Sequence, residues 1–315
     1  MTMRHLLRML APGTWLLAIA MLGLSALGQT ARADGVPGAA TAVPSLEDQL
    51  MADDYTHVAT RRGLHVDVMV MEGQTFRCMT FDRRNLFQSC MHKAQPMQLA
   101  LEYTRGLLAG LRFLPEPPRR ILLVGLGGGS IPKVIMAHFP HTALDVVELD
   151  AAVVQVARTW FDFQPNEQVA VHAMDARVFV RQKIRQGQHY DLILLDAFDH
   201  DYVPEHLLTV EFLQQVRQLL APGGVVAANT FSRGRLQPHE EATWQAVFPH
   251  LLRAQRRMND ILYAAPHALH ANTDDPLLDA LTGPWPHYQP VPVPPSHARA
   301  LTDQWSPTNI LRQAD

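Results

Sequence analysis

Hydrophobic residues change their period along this chain. From His57 to about Met91 they alternate: LHVDVMVM switches between polar and apolar, TFRCMTF is β-prone, and LFQSCM follows the polar DRRN. The stretch predicts a small N-terminal β domain over residues 55–95. If Phe76–Phe81 and Leu86–Met91 pair as a hairpin around Arg83-Arg84-Asn85, Cys78 falls opposite Cys90 at a spacing a disulfide accepts. Next, MQLALEYTRGLLAGLRF, residues 97–113, carries apolar residues at helical spacing and predicts an amphipathic helix. Pro115, Pro117 and Pro118 stop it.

Strands and helices then take turns. Ile121–Gly125, Leu144–Leu149, Val169–Ala173, Tyr190–Asp196 and Val225–Phe231 read as strands, and YDLILLD is a continuous apolar run of the kind buried on both faces. Between them, Ile131–Phe139, Ala151–Trp160, Ala176–Gln186 and Thr209–Leu220 read as helices. Repeated β-α-β predicts an α/β fold: a Rossmann-like, methyltransferase-type parallel sheet with helices on both faces, spanning residues 96–315. Asp260–Ala265 is a weaker late strand, and the proline-rich PWPHYQPVPVPP, residues 284–295, is expected to run extended over the surface.

The N-terminus has the parts of an export signal. Arg4 and Arg8 precede an uncharged apolar run, Thr14–Leu27, and Ala31-Arg32-Ala33 offers a cleavage site. The expectation is a signal peptide over residues 1–33, a linker over 34–54 and a periplasmic or secreted product; the alternative is an uncleaved membrane anchor. The apolar run is shorter than the ~20 residues of a membrane span, so no stable span is expected after cleavage. In a reducing compartment the two cysteines would be buried thiols, whereas after export the bonded pair is expected. Removing Arg4, Arg8 and Arg32 with no acid moves the formal charge from −3 to −6. An acidic chain with three lysines and no basic block excludes a nucleic-acid partner and suits cationic small molecules. Two cysteines and histidines in i,i+3 pairs without nearby carboxylates do not form a metal site, and none is expected.

In an open α/β sheet, ligands bind beyond the carboxyl ends of the strands. The first such end is Gly125-Leu126-Gly127-Gly128-Gly129-Ser130, a loop whose glycines allow close backbone approach and whose helix offers free N–H groups. Glu148 ends the next strand, where an acid commonly accepts hydrogen bonds from ribose hydroxyls. Asp175 ends the third; it either caps the next helix or accepts from an adenine amino group while backbone N–H groups at Ala176 meet the ring. Asp196 ends the most apolar strand, where a carboxylate is costly without a task or partner, and Asp199 follows three residues on. Paired carboxylates there could grip an amine and take its proton.

Together these residues resemble the spermidine synthase (polyamine aminopropyltransferase) family, over about residues 55–310. The resemblance implies that Gly125, Gly127, Gly129, Glu148, Asp175 and Ala176 hold an adenosyl-sulfonium donor, decarboxylated S-adenosylmethionine or S-adenosylmethionine itself. That donor is a co-substrate, and no tightly bound cofactor is expected. Asp196 looks like the family's catalytic acid, acting as general base toward an amine such as putrescine; Gln88, Tyr103 and Asp199 match substrate-lining positions. LTDQWSPTN, residues 301–309, is similar to a C-terminal segment of spermidine synthase-like proteins. The family is often oligomeric, so a homodimer is open.

Three departures mark the chain as divergent. Gly128 stands where the family's glycine loop carries an aspartate that helps hold the donor's amine. Ala197-Phe198 replaces a Ser-Ser pair, and Arg105 replaces a glutamate two residues after the tyrosine, putting positive charge where the resemblance implies a polyamine. Two alternatives therefore accompany aminopropyl transfer: an S-adenosylmethionine-dependent methyltransferase, and a non-catalytic exported binding protein on the same scaffold.

Overall fold

The alternating N-terminal stretch folds as four strands, β1 (Thr56–Arg62), β2 (Asp67–Glu72), β3 (Phe76–Phe81) and β4 (Phe87–His92), paired antiparallel in chain order. This computed structural model describes residues 44–81, 86–197, 204–230, 232, 234–255, 259–283 and 287–312. The export signal and Asp199 lie outside them. In the β3–β4 register Cys78 faces Cys90, as the hairpin arithmetic predicts, and the two are joined by a disulfide. The bond is buried with Leu50, Phe76 and Leu101.

Two expectations need correction. The stretch 34–54, expected as an aperiodic linker, contains a helix, α1 (Leu46–Ala52), started by Ser45, whose side chain accepts the Asp48 N–H. Leu50 anchors it in the core beside the disulfide. Seven residues with one fully buried position are too few to show a helical period in sequence. The helix expected over residues 97–113 is shorter, α2 (Glu102–Leu108), continuing as a 3-10 turn through Ala109–Phe113. A bridge from Leu99 to Met91 keeps the chain before it extended.

The βαβ run supplies β5 (Arg120–Val124), α3 (Ser130–His138), β6 (Ala143–Glu148), α4 (Ala151–Trp160), β7 (Val169–Ala173), α5 (Ala176–Arg185), β8 (Tyr190–Leu195), α6 (Val210–Gln218) and β9 (Leu220–Thr230). Asp150, Asp175 and Thr209 start α4, α5 and α6 by accepting backbone N–H groups of the first turn. Beyond them, α7 (Gln237–Gln245), β10 (His250–Gln255), β11 (Asp260–Ala265), α8 (Pro276–Thr282), β12 (Tyr288–Pro290) and α9 (Thr308–Arg312) complete the fold. The eight-stranded sheet has the order β12-β10-β11-β9-β8-β5-β6-β7. Its β9-to-β7 part is parallel, and β10, β11 and β12 extend it antiparallel. The proline-rich segment thus supplies an edge strand, where a missing N–H donor is tolerated.

Alternate residues of the central strands feed two cores. Ile121, Leu123, Leu192 and Leu194 pack with Leu107, Leu108 and Ile135 on one face. Leu122, Val124, Ile193 and Leu195 pack with Phe179, Phe212 and Trp244 on the other. Strand order reverses at β5, whose neighbours are β6 and β8, so the loops after β5 and β8 diverge and open a crevice between them.

Candidate functional site

The crevice is the inner end of a cavity of about 690 Å³, walled on one side by α1 and the small sheet and on the other by the carboxyl ends of the parallel strands. It gathers Gln88, Tyr103, Gly125, Gly127, Glu148, Asp175, Ala176 and Asp196. Gly129 is the exception among the expected residues. With φ of 75° it caps α3 and packs on Phe163, behind the cavity wall. Arg105, expected near the substrate, is also not among the described lining residues. Two positions on from Tyr103, it lies about 200° round the helix, so the two side chains point apart.

Glu148 is held by its own surroundings. Leu126 N–H in the glycine loop donates to Oε2 at 2.9 Å, and Asp150 N–H donates to Oε1 at 3.0 Å. Burial nevertheless keeps its carboxyl above the ordinary range against those bonds. Asp150 is the helix-starting acid: Oδ1 accepts from Ala152 N–H, while Oδ2 accepts from Leu64 N–H at 2.6 Å and ties the small sheet to α4. Asp175 caps α5 through Val178 N–H and also faces the cavity. His206 lies 2.8 Å from its Oδ2. Burial raises the Asp175 carboxyl, but the bonds from Val178 and His206 outweigh it and hold the group below its ordinary value.

Asp196 is held differently. Its N–H donates to Val124 O at 2.8 Å, setting the carboxylate at the switch point. Gly125, at φ 96°, passes so close that any side chain there would meet the Asp196 carbonyl. Asn229, at the end of β9, donates from Nδ2 to Asp196 Oδ1 at 2.9 Å, and Asn259 in turn donates to Asn229 Oδ1 at 2.8 Å. The Tyr103 hydroxyl has one proton for two acceptors, the Gln88 carbonyl at 3.1 Å and the Asp196 carboxylate. Burial, reinforced by Glu148, overcomes the bonds from Asn229 and Tyr103 and pushes Asp196 up to about 7.

The sequence reading missed Asn229 and Asn259. The strand-end rule that found the acids applies equally to Asn229, next to last in VVAANT before Phe231. It missed also the work of the C-terminal segment. Asp303 in LTDQWSPTN accepts both ends of the Arg177 guanidinium at 2.7 and 2.6 Å, and Arg177 also bonds the His206 carbonyl. The segment therefore fixes the turn that brings His206 to Asp175.

Five acids, Glu47, Glu148, Asp150, Asp175 and Asp196, border the cavity, and among the described lining residues there is no Lys or Arg. Such a field attracts cations. At Gly128, where the family's aspartate would stand, a Cβ would lie 2.7 Å from the Phe161 ring and 2.9 Å from Ser89 Oγ, so the space of that side chain is filled.

Known proteins share sequence and fold with this chain. Residues 103–243 match the spermine/spermidine synthase domain. Over 284 residues the chain is 37% identical to a polyamine aminopropyltransferase of Vibrio vulnificus strain CMCP6, covering 82% of this chain and 92% of that protein. A probable spermidine synthase from Corynebacterium glutamicum ATCC 13032 shares the fold with TM-score 0.63 at 23% identity, over 78% of this chain and 96% of that one. Human methyltransferase-like protein 13, solved in complex with SAH, aligns at 31% identity and TM-score 0.50, over 58% of this chain and 89% of that one. With an acid at each expected strand end and a relative matched along nearly its whole length, the chain belongs to the spermine/spermidine synthase family.

Proposed function

We propose that this protein transfers an aminopropyl group from decarboxylated S-adenosylmethionine to a small amine such as putrescine. The observation that carries the reading is Asp196, a buried carboxylate near neutrality at the inner end of an acid-lined cavity. Both substrates are cations, a sulfonium and an ammonium, and both suit that field. Glu148 would accept the ribose hydroxyls, the Asp175–Ala176 turn would face the adenine, and the backbone at Gly125 and Gly127 leaves room for close approach. Gln88 and Tyr103 border the acceptor beside Asp196. Asp196 takes a proton from the acceptor ammonium; the freed nitrogen attacks the aminopropyl carbon next to sulfur. A C–N bond forms, the C–S bond breaks, and its electron pair returns to sulfur as a neutral thioether.

Purified protein incubated with decarboxylated S-adenosylmethionine and putrescine should yield the aminopropylated amine and an equal amount of thioether nucleoside, measured by mass spectrometry. Unchanged turnover in Asp196→Asn would overturn the role given to the base. A second reading, methyl transfer from S-adenosylmethionine, is favoured by the filled space at Gly128 and by the likeness to a methyltransferase. Running the same assay with the intact donor separates the two by product mass. Absence of any nucleoside binding in calorimetry would leave the non-catalytic binding protein.

We also propose that the protein works outside the cytoplasm. The N-terminal pattern and Ala31-Arg32-Ala33 support this, and a cross-strand disulfide suits an oxidising compartment. Among the described residues no helix is long and apolar enough to cross a membrane. N-terminal sequencing of the product recovered from a periplasmic extract should start at Asp34.

A further inference from the structure

We propose that Asn259 is a positioning residue for the transfer reaction: acting through Asn229, it fixes how the Asp196 carboxylate is held. This rests on the reading of Asp196 as the base. Topology brings the three together. Antiparallel pairing of β9 and β11 sets Thr230 opposite Asp260, so Asn229 and Asn259 come side by side at the end of β9, next to the end of β8. Asn259 Nδ2 donates to Asn229 Oδ1 at 2.8 Å, and Asn229 Nδ2 donates to Asp196 Oδ1 at 2.9 Å. Both asparagines are almost fully buried, at 6% and 2% exposure, yet both border the cavity.

A carboxamide keeps its shape when turned end for end, so its partners decide which end faces a neighbour. Toward an ionised Asp196 the useful end is Nδ2, because a donor favours the charged form. That orientation leaves Asn229 Oδ1 pointing at β11, and the Asn259 N–H group meets it there. Without that donor Asn229 can turn and present oxygen to Asp196, which would favour the protonated acid. The remaining described groups at Asp196 are Tyr103 from α2 and Glu148 from the end of β6. Among the described residues Asn259 hydrogen-bonds Asn229 and neither of these two, so the relay runs through Asn229. With Oδ1 held by the amide and the Tyr103 hydroxyl as its other donor, the carboxylate is oriented before substrate arrives.

The test measures the ionisation midpoint of Asp196 in the full chain by carbon-13 NMR of aspartate carboxyls, assigned by difference from Asp196→Asn, together with the pH profile of kcat/KM. Asn259→Leu removes the donor without adding charge, and should raise both midpoints by about one pH unit, a tenfold change in the ionised fraction below neutrality. In an Asn229→Ala background the same substitution should produce no further rise, because the intermediary is gone. An unmoved midpoint in Asn259→Leu, or an equal shift in both backgrounds, overturns the relay. If Asn259→Leu does not fold, Asn259→Ala, which also removes the donor without adding charge, is measured against the same outcomes. Failure of the wild-type protein to transfer any group would end the transferase reading while the NMR comparison still decides the relay. Normal transfer with unmoved midpoints would end the relay alone.

Discussion

The two ends of the cavity hold their acids in opposite ways. At the outer end, Glu148 and Asp175 accept N–H groups from turns a few residues away or from the adjoining glycine loop. At the inner end, Asp196 depends on side chains from three distant elements: Tyr103, Asn229 and, through it, Asn259. Backbone donors come with the secondary structure and hold a carboxylate as an acceptor, the state that suits hydroxyl and amino groups of a nucleoside. Burial raises both Glu148 and Asp196, and at Asp196, where the donors are side chains, it leaves a group that exchanges a proton near neutrality. Placement of an acid at a strand end is thus one task, and tuning its proton affinity is another.

The comparison can be broken most sharply at Asp196. Asp196→Asn should lower kcat by about 10²–10⁴-fold, with donor affinity in calorimetry changed only slightly. Glu148→Gln should do the reverse. Loss of a charge-assisted acceptor weakens donor binding by roughly 10–100-fold, while kcat at saturating donor stays near wild type. The pH dependence separates Asp196 from Asp175 by sign. Activity limited by Asp196 should fall about tenfold per pH unit below its value of about 7, as measured by kcat/KM profiles. For stability, a carboxyl raised on folding favours the fold at low pH and loses that contribution as pH rises from its ordinary 3.8 toward about 7. Asp175, lowered on folding, contributes above the ordinary carboxylate range and loses that as pH falls through its folded value. Asp196→Asn should therefore melt higher than wild type at pH 8 and not at pH 4, and Asp175→Asn should melt lower at neutral pH. The smallest effect belongs to His206→Ala, which frees Asp175 Oδ2 and should change donor affinity by no more than about fivefold.

The same division explains what could be read from the chain. YDLILLD, the glycine loop and the acids at successive strand ends are local patterns, and they sufficed for the parallel sheet and six of the lining positions. The Cys78–Cys90 pairing was also legible, because a hairpin register is arithmetic on neighbouring residues. Asn259 was not, since nothing near MNDILY says that β11 returns antiparallel beside β9. Nor was α1, whose single buried Leu50 makes sense only once the disulfide and Leu101 lie beneath it. The position of Arg105 shows a further limit: a substitution adjacent in sequence to the tyrosine falls on another face of α2, outside the described lining.

The ring of Phe161 against Gly128 constrains the history of the site as well as its shape. Restoring an aspartate at 128 alone would drive a side chain into that ring, and shrinking Phe161 alone would open a void in the cluster it shares with Val68, Met79 and Val153. Each single step is penalised, and even the pair of changes requires Ser89 Oγ, 2.9 Å from the added Cβ, to give way. The two positions are epistatic, so the glycine behaves as a one-way valve: a descendant of this protein would regain the missing carboxylate more readily at a new position than at the old one.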